Sequence, residues 1–299
     1  MSVLEGIVQR LKKGTFEWVR DEPTAEDLEH IKREGNSPSQ FDPLGLRKQM
    51  TDDLASGKAV LKTKRGPFAK VLAVVYPDTQ IPWKTLGQIF SAFGAPGGKG
   101  KGKGIWRVVW FAHPKTRVFP TIGGIGSTGG LGEATATENV TQQLKAHKLV
   151  SLVQPQHING GYAYACAPET IIIYREEEVE RVLVHELLHA ACTDDMSKPE
   201  WMREVLTETW AELFLVGILA QGSMRKAKKL WEIQAQWIAD QEAVLVNDYK
   251  ITSPEHFPWR YTVGRRSVLQ SLGITLPPPS ADPKFMLGSS LRFTSSALL

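Results

Sequence analysis

The chain has 299 residues, 42% of them hydrophobic and 23% charged, with a formal net charge of +4 at pH 7. This is the balance of an ordinary globular protein, long enough for one large core or two smaller ones, and not that of a disordered or collagen-like chain. Two cysteines give no disulfide framework and suit a reducing compartment. Met1 to Lys13 lacks a secretory hydrophobic region, and the longest apolar run, Leu213 to Ala220, is too short to span a bilayer. A cytoplasmic or virion-associated location is therefore expected, without secretion through a signal peptide.

In chain order, helices are expected over Val3–Lys13 and Thr24–Arg33. Thr24 with Asp27 three residues on resembles a capping box. Asn36 to Pro43 is a turn-rich break. Ala59 to Tyr76 suggests two strands, the clearer being Val71 to Tyr76. Trp83 to Phe93 reads as a helix ending at Gly94. Gly94 to Gly104 alternates glycine with lysine and reads as a flexible basic linker, where a domain boundary is expected.

Charge is unevenly spread. Lys58 to Arg117 holds 12 basic residues and one acid, a local +11, against −7 over the rest, where 24 bases meet 31 acids. A patch of that density suits nucleic acid or another acidic partner through phosphate neutralisation, the alternative being a solvated surface.

Beyond the linker, Ile105 to Ala112 reads as a strand, Thr121 to Gly132 as a glycine-rich loop and Thr137 to Leu149 as a helix. Gly124 to Gly129 spells G-x-G-x-x-G without a clean preceding strand, and Gly97 to Lys103 spells G-x-x-x-x-G-K with Gly104 where a Ser or Thr is needed. Both read as loops. Thr170 to Tyr174 is a β-branched strand. Helices are expected again at Arg225–Asn247 and Tyr261–Leu272, and Pro277 opens an irregular tail. No internal repeat is apparent.

The chemistry concentrates in His185-Glu186-Leu187-Leu188-His189, an H-E-x-x-H on a helix over Val179–Cys192. Two His at i and i+4 share one helical face and can bind one metal, with the Glu between them as general base. That helix is apolar nearly all round, so the three polar residues lie in a core and need partners, which a metal would supply. The next helix, Pro199–Gly222, carries Glu204, Glu208 and Glu212 as one carboxylate stripe. Like charges at that spacing repel, so the stripe needs a reason.

The spacing from His189 to Glu208, H-E-x-x-H-x18-E, resembles the gluzincin metallopeptidases. The resemblance implies zinc held by His185, His189 and Glu208, with Glu186 catalytic and Glu212 orienting His185. A second resemblance is carried by His113–Pro120, His157–Tyr164, Ile171–Glu178 and Thr207–Glu212, which look like segments of metallopeptidase-like proteins encoded by large DNA viruses. Two rival ligands stand beside Glu208. Asp195 falls where metzincins carry their third ligand, although Cys192 occupies the position of the glycine that motif needs. A thiolate from Cys166 or Cys192 is the other.

The expected fold is α+β. A zincin-like catalytic domain over 105–275, a small mixed sheet with the metal-binding helices, follows a basic N-terminal module over 1–104; the C-terminal part is helical and 276–299 is an irregular tail. The gluzincin resemblance also implies that the Thr170–Tyr174 strand lines the cleft for an extended peptide, and that Tyr261, His256 or Arg260 supplies an oxyanion donor. The expected activity is zinc-dependent peptide-bond hydrolysis on a peptide or protein substrate. The alternatives are a structural or virion protein with a non-catalytic zinc site, or a nucleic-acid-associated protein acting through Lys58–Arg117.

Overall fold

The computed structural model describes residues 3–11, 15–97, 104–121 and 152–299. The helix expected over 137–149, the Gly124–Gly129 motif and Lys99, Lys101 and Lys103 lie outside the described residues.

Side-chain alternation with period two builds the centre of the molecule. A short β1 (Val19–Arg20) joins β2 (Val60–Arg65), β3 (Ala69–Val75), β4 (Trp106–Phe111), β5 (Gly161–Ala163) and β6 (Ile171–Ile173) in one sheet of order β1-β2-β3-β4-β6-β5. β3 with β4 and β4 with β6 are parallel, and the other pairs are antiparallel. Every residue of β3 and β6 is buried, as befits strands covered on both faces.

On one face Val71, Ala73, Trp110 and Ile173 pack on α4 (Trp83–Phe93) and on two later helices, α6 (Val179–Ala190) and α7 (Glu200–Ala220). On the other, Leu72, Val74, Val109 and Ile172 pack on Ile31 of α2 (Ala25–Asn36) and on Leu46 and Met50 of α3 (Leu46–Ala55). The fold is therefore α+β with a mixed sheet, as expected. Around it lie α1 (Val3–Arg10), α5 (Pro155–Ile158), α8 (Met224–Asn247), a 3-10 turn (Phe257–Tyr261), α9 (Arg265–Ser271) and α10 (Pro283–Leu287). Among the described residues, no helix is long and apolar enough to cross a membrane.

The capping box forms at α2: the Thr24 hydroxyl accepts from the Asp27 N–H, and the Asp27 carboxylate accepts from the Thr24 N–H at 2.8 Å. The same carboxylate sits 2.7 Å from the buried ammonium of Lys70, which ties α2 to β3.

Two boundaries differ from expectation. Six consecutive residues of β3 pair with β4, from Ala69 with Trp106 to Val74 with Phe111, so the sheet runs through the boundary expected at residue 104. The segment 1–104 shares that sheet instead of forming its own module. The tail is not irregular throughout: it forms α10 and then buries Leu291 and Phe293 in an apolar cluster with Val244 and Leu245 of α8.

Candidate metal centre

α6 drives Leu183, Val184 and Leu187 into the sheet, and the turn geometry then places His185, Glu186 and His189 on the remaining side, all buried. The Nε2 atoms of His185 and His189 lie 3.0 Å apart. α7 packs beside α6 and brings Glu204 to the same point, 3.6 Å from His185 Nε2 and 3.8 Å from His189 Nε2. His185, His189 and Glu204 offer ligand atoms within 4.8 Å of one another and could hold a metal ion. Ligand atoms at about 2.0–2.1 Å from a tetrahedral zinc stand roughly 3.3 Å apart; the two Nε2 atoms are near that spacing, and Glu204 approaches them through different oxygens, Oε2 toward His185 and Oε1 toward His189.

Glu208, the expected third ligand, stands one turn further along α7. Its carboxylate contacts the Arg181 guanidinium and approaches His185 Nδ1 at 3.2 Å. It faces the far nitrogen of His185, while Glu204 occupies the position beside both Nε2 atoms. Glu212, expected to orient His185, lies another turn away and pairs with Arg181 at 3.4 Å and Arg265 at 3.1 Å. Asp195 is exposed and caps its own loop by accepting from Ser197. Its neighbour Asp194, not singled out in the sequence, lies 2.8 Å from His189 Nδ1. Asp194 thus bonds His189 at Nδ1, the arrangement that fixes a metal-binding imidazole in place, while Glu208 lies beside His185 Nδ1 without a hydrogen bond.

Burial, helped by the charges of His189 and Arg181, holds His185 well below the usual imidazole value and keeps it neutral. Burial also lowers His189, but Asp194 and Glu204 outweigh it and raise it to about 10. Without a metal, His189 carries the proton. Burial raises Glu186 to about 8, with Glu204 adding to the effect and His189 and Arg181 opposing it. A dication at the cluster would displace the His189 proton and favour ionised Glu186.

The cleft has a volume of about 190 Å³, and its walls include Asn159–Ala163, Met196, Arg203, Tyr261 and Phe293. Its strand wall differs from expectation. Ile171–Ile173 is an interior strand between β4 and β5, and it is β5, at the sheet edge, that lines the cleft. Gly161 permits this close approach: a Cβ there would stand 2.7 Å from Val182 Cγ1 and 3.1 Å from Glu186 Oε1. The N–H of Ala163 also bonds to the Glu186 carboxylate. Of the three candidate oxyanion donors, Tyr261 lines the cleft, whereas Arg260 pairs with Glu200 at 2.8 Å and His256 accepts from the Thr252 N–H. Burial, reinforced by the negative charge of Glu204, pushes the Tyr261 hydroxyl well above its usual value.

Behind the ligands lies a buried ionic web. Arg117, Arg181 and Arg265 all approach the Phe293 ring, the closest being Arg181 at 4.6 Å. Glu178 accepts from the N–H groups of Phe293 and Thr294 and pairs with Arg117 at 3.0 Å. The tail is thereby built into the floor of the site, which its Pro-rich sequence does not signal.

A further expectation is corrected. Cys166 and Cys192 form a disulfide, so neither is a free thiolate ligand and the chain is not without a cross-link. Within the basic segment four residues pair with acids from outside it: Lys70 with Asp21 and Asp27, Arg107 with Glu26, Arg117 with Glu178 and Lys58 with Asp53.

No protein-family model, curated protein or solved structure matches this chain.

Proposed function

We propose that the chain is a zinc-dependent peptidase of gluzincin type in which Glu204, in place of Glu208, completes the ligand set with His185 and His189. The observation that carries this is the convergence of two Nε2 atoms and one carboxylate within 4.8 Å of one another, with the buried Glu186 beside them. Three protein ligands are the complement of a catalytic zinc site. Bound there, zinc supplies Lewis acidity that polarises a carbonyl and makes a water acidic near neutral pH.

Glu186 accepts the proton of the water whose oxygen attacks the peptide carbonyl carbon, then delivers it to the leaving nitrogen. The Ala163 N–H holds the Glu186 carboxylate toward the cleft. Tyr261 remains protonated and donates to the carbonyl oxygen as charge develops on it. The edge position of β5 suits an extended substrate added as a further strand. Phe41 and Met196, which line the cleft and are 38% and 67% exposed, offer apolar contact to its side chains.

The test is metal content by mass spectrometry on protein purified without added metal, followed by a peptide-library screen against Glu186→Gln. About one zinc per chain, lost in Glu204→Ala, together with cleavage abolished by Glu186→Gln, is the expected outcome. A chain that takes up no zinc, or cleavage that survives Glu186→Gln, overturns the proposal.

A further inference from the structure

We propose that the Cys166–Cys192 disulfide is a reversible redox modification site that clasps the edge strand β5 to the end of the metal helix α6, so that thiol reductants loosen the metal cleft. The clasp stands apart from the peptidase reading. Its effect on metal retention rests on His185, His189 and Glu204 being the ligands.

The argument begins with the backbone. The N–H groups of Cys166 and Cys192 both donate to one acceptor, the carbonyl of His189, each at 3.1 Å. Both half-cystines adopt left-handed backbone, with φ of 63° and 61°. That region is unfavourable for a residue with a Cβ and persists only where the surroundings enforce it. At Cys192 the left-handed residue also closes the C-terminus of α6, with the Thr193 N–H donating to the Leu188 carbonyl at 3.3 Å, and at Cys166 the Ala167 N–H donates to the Tyr164 carbonyl at 3.1 Å; the covalent bond is the constraint that joins these two turns. Cys166 follows β5 by three residues and Cys192 follows His189 by three. The bond thus closes a loop containing β6 and the whole of α6.

Both ends of the clasp lead into the metal cleft. Upstream of Cys166 lies Ala163, whose N–H holds Glu186. Downstream of Cys192 lies Asp194, whose carboxylate holds His189 Nδ1 at 2.8 Å. Cys166 and Cys192 are themselves exposed, so a small reductant reaches them without unfolding the core. Opening the bond separates the 164–167 turn from the end of α6, which loosens the strand that positions Glu186 and leaves the loop bearing Asp194 held by its own hydrogen bonds alone.

The chemistry is thiol–disulfide exchange. A thiolate of a dithiol reductant attacks one protein sulfur, the S–S bond breaks, a mixed disulfide forms and the other cysteine leaves as thiolate. The second thiol of the reductant then closes its own disulfide and frees the first cysteine. The protein gains two electrons and two protons, and the dithiol loses them.

The test compares the full-length chain air-oxidised, reduced with dithiothreitol and desalted under nitrogen, and as Cys166→Ser/Cys192→Ser. Thiols are counted by iodoacetamide labelling and mass spectrometry, amide exchange is followed over residues 161–167, and zinc release is timed against a chelator. The oxidised chain should take no label and the reduced chain two. Reduction should raise exchange over 161–167 and speed zinc release, each at least tenfold, with exchange in α8 unchanged. The double variant should match the reduced chain and ignore dithiothreitol. Two labels on the oxidised chain, or equal exchange over 161–167 in both forms, overturns the clasp. Equal zinc release overturns its link to the cleft. A chain that binds no zinc in any form defeats the peptidase reading alone, because the exchange arm needs no metal.

Discussion

Glu208 Oε1 stands 3.2 Å from Nδ1 of His185, the ring nitrogen turned away from Glu204. The pairing belongs to an antiparallel register between α6 and α7. Stepping four residues forward from Arg181 to His185 to His189 moves four residues back from Glu212 to Glu208 to Glu204. The two glutamates therefore have distinct effects. Glu204→Ala is expected to be isolated without metal, whereas Glu208→Ala retains metal with affinity lowered about 10–100-fold. Zinc competition against a graded chelator series separates them, and equal losses in the two variants would contradict the register.

Gly161 of β5 lies directly against Val182 and Glu186 of α6. Gly161→Ala is expected to push the strand off the helix, because the new methyl meets Val182 Cγ1 and a backbone oxygen at 2.7 and 2.9 Å. Peptide turnover should fall by roughly tenfold or more, in line with the sensitivity of catalysis to 1 Å displacements. Metal content should stay at wild-type level, since no ligand is on β5. Parallel turnover and metal assays check this, and unimpaired turnover would mean that the strand does not position Glu186.

Glu178 sustains the buried web under the site. Glu178→Ala removes a partner of Arg117 and the acceptor of the Phe293 and Thr294 amides, leaving charge and N–H groups buried without compensation. Breaking a buried pair in this way typically costs about 3–5 kcal/mol. Urea unfolding monitored by tryptophan fluorescence measures the loss, and a change under about 1 kcal/mol would show that water replaces the carboxylate.

Three histidines outside the metal centre contribute stability that falls with acid. Burial holds His30, His113 and His157 below the usual imidazole value, with Glu34 partly offsetting it at His30. The unfolded chain takes up those protons below about pH 6.5 while the folded chain resists them, so the unfolded state binds more protons and stability rises with pH. The contribution is fully present above about pH 6.5 and is lost as pH drops toward the depressed folded values. Their share of the urea midpoint should therefore be smaller at pH 5.5 than at pH 7.5, against an opposite trend from Glu186 and His189, whose raised values stabilise the fold at lower pH. His113→Asn/His157→Asn should flatten that dependence, because an amide oxygen can accept the Lys115 and Gln154 N–H bonds without titrating.

The metal helix, the carboxylate stripe and the capping box at Thr24 were legible because each is a local pattern of spacing. The third ligand was not. Glu204, Glu208 and Glu212 share one helical stripe, and only the length of the loop between α6 and α7 decides which of them meets the histidines. A pairwise signal did exist: Arg181 lies one turn before His185 and, once buried, needs a carboxylate one turn beyond the ligand. β5 escaped notice because Gly160 and Gly161 do not read as strand, although the absence of side chains is what allows contact with Arg117 and Glu186. The disulfide joins cysteines 26 residues apart, a spacing that carries no preference of its own.

The sheet that runs through residue 104 has a consequence for maturation. Cleavage in the Gly/Lys stretch would leave β3 and β4 paired, because their ladder does not depend on the covalent link. Release of the first 104 residues would strip β4 of its neighbour and bare a row of unsatisfied backbone groups beside Trp106, Val108 and Trp110, the kind of edge that recruits other chains. Release of the whole 1–104 segment is thus incompatible with this architecture, and a chain nicked in the Gly/Lys stretch should migrate as one particle until denatured.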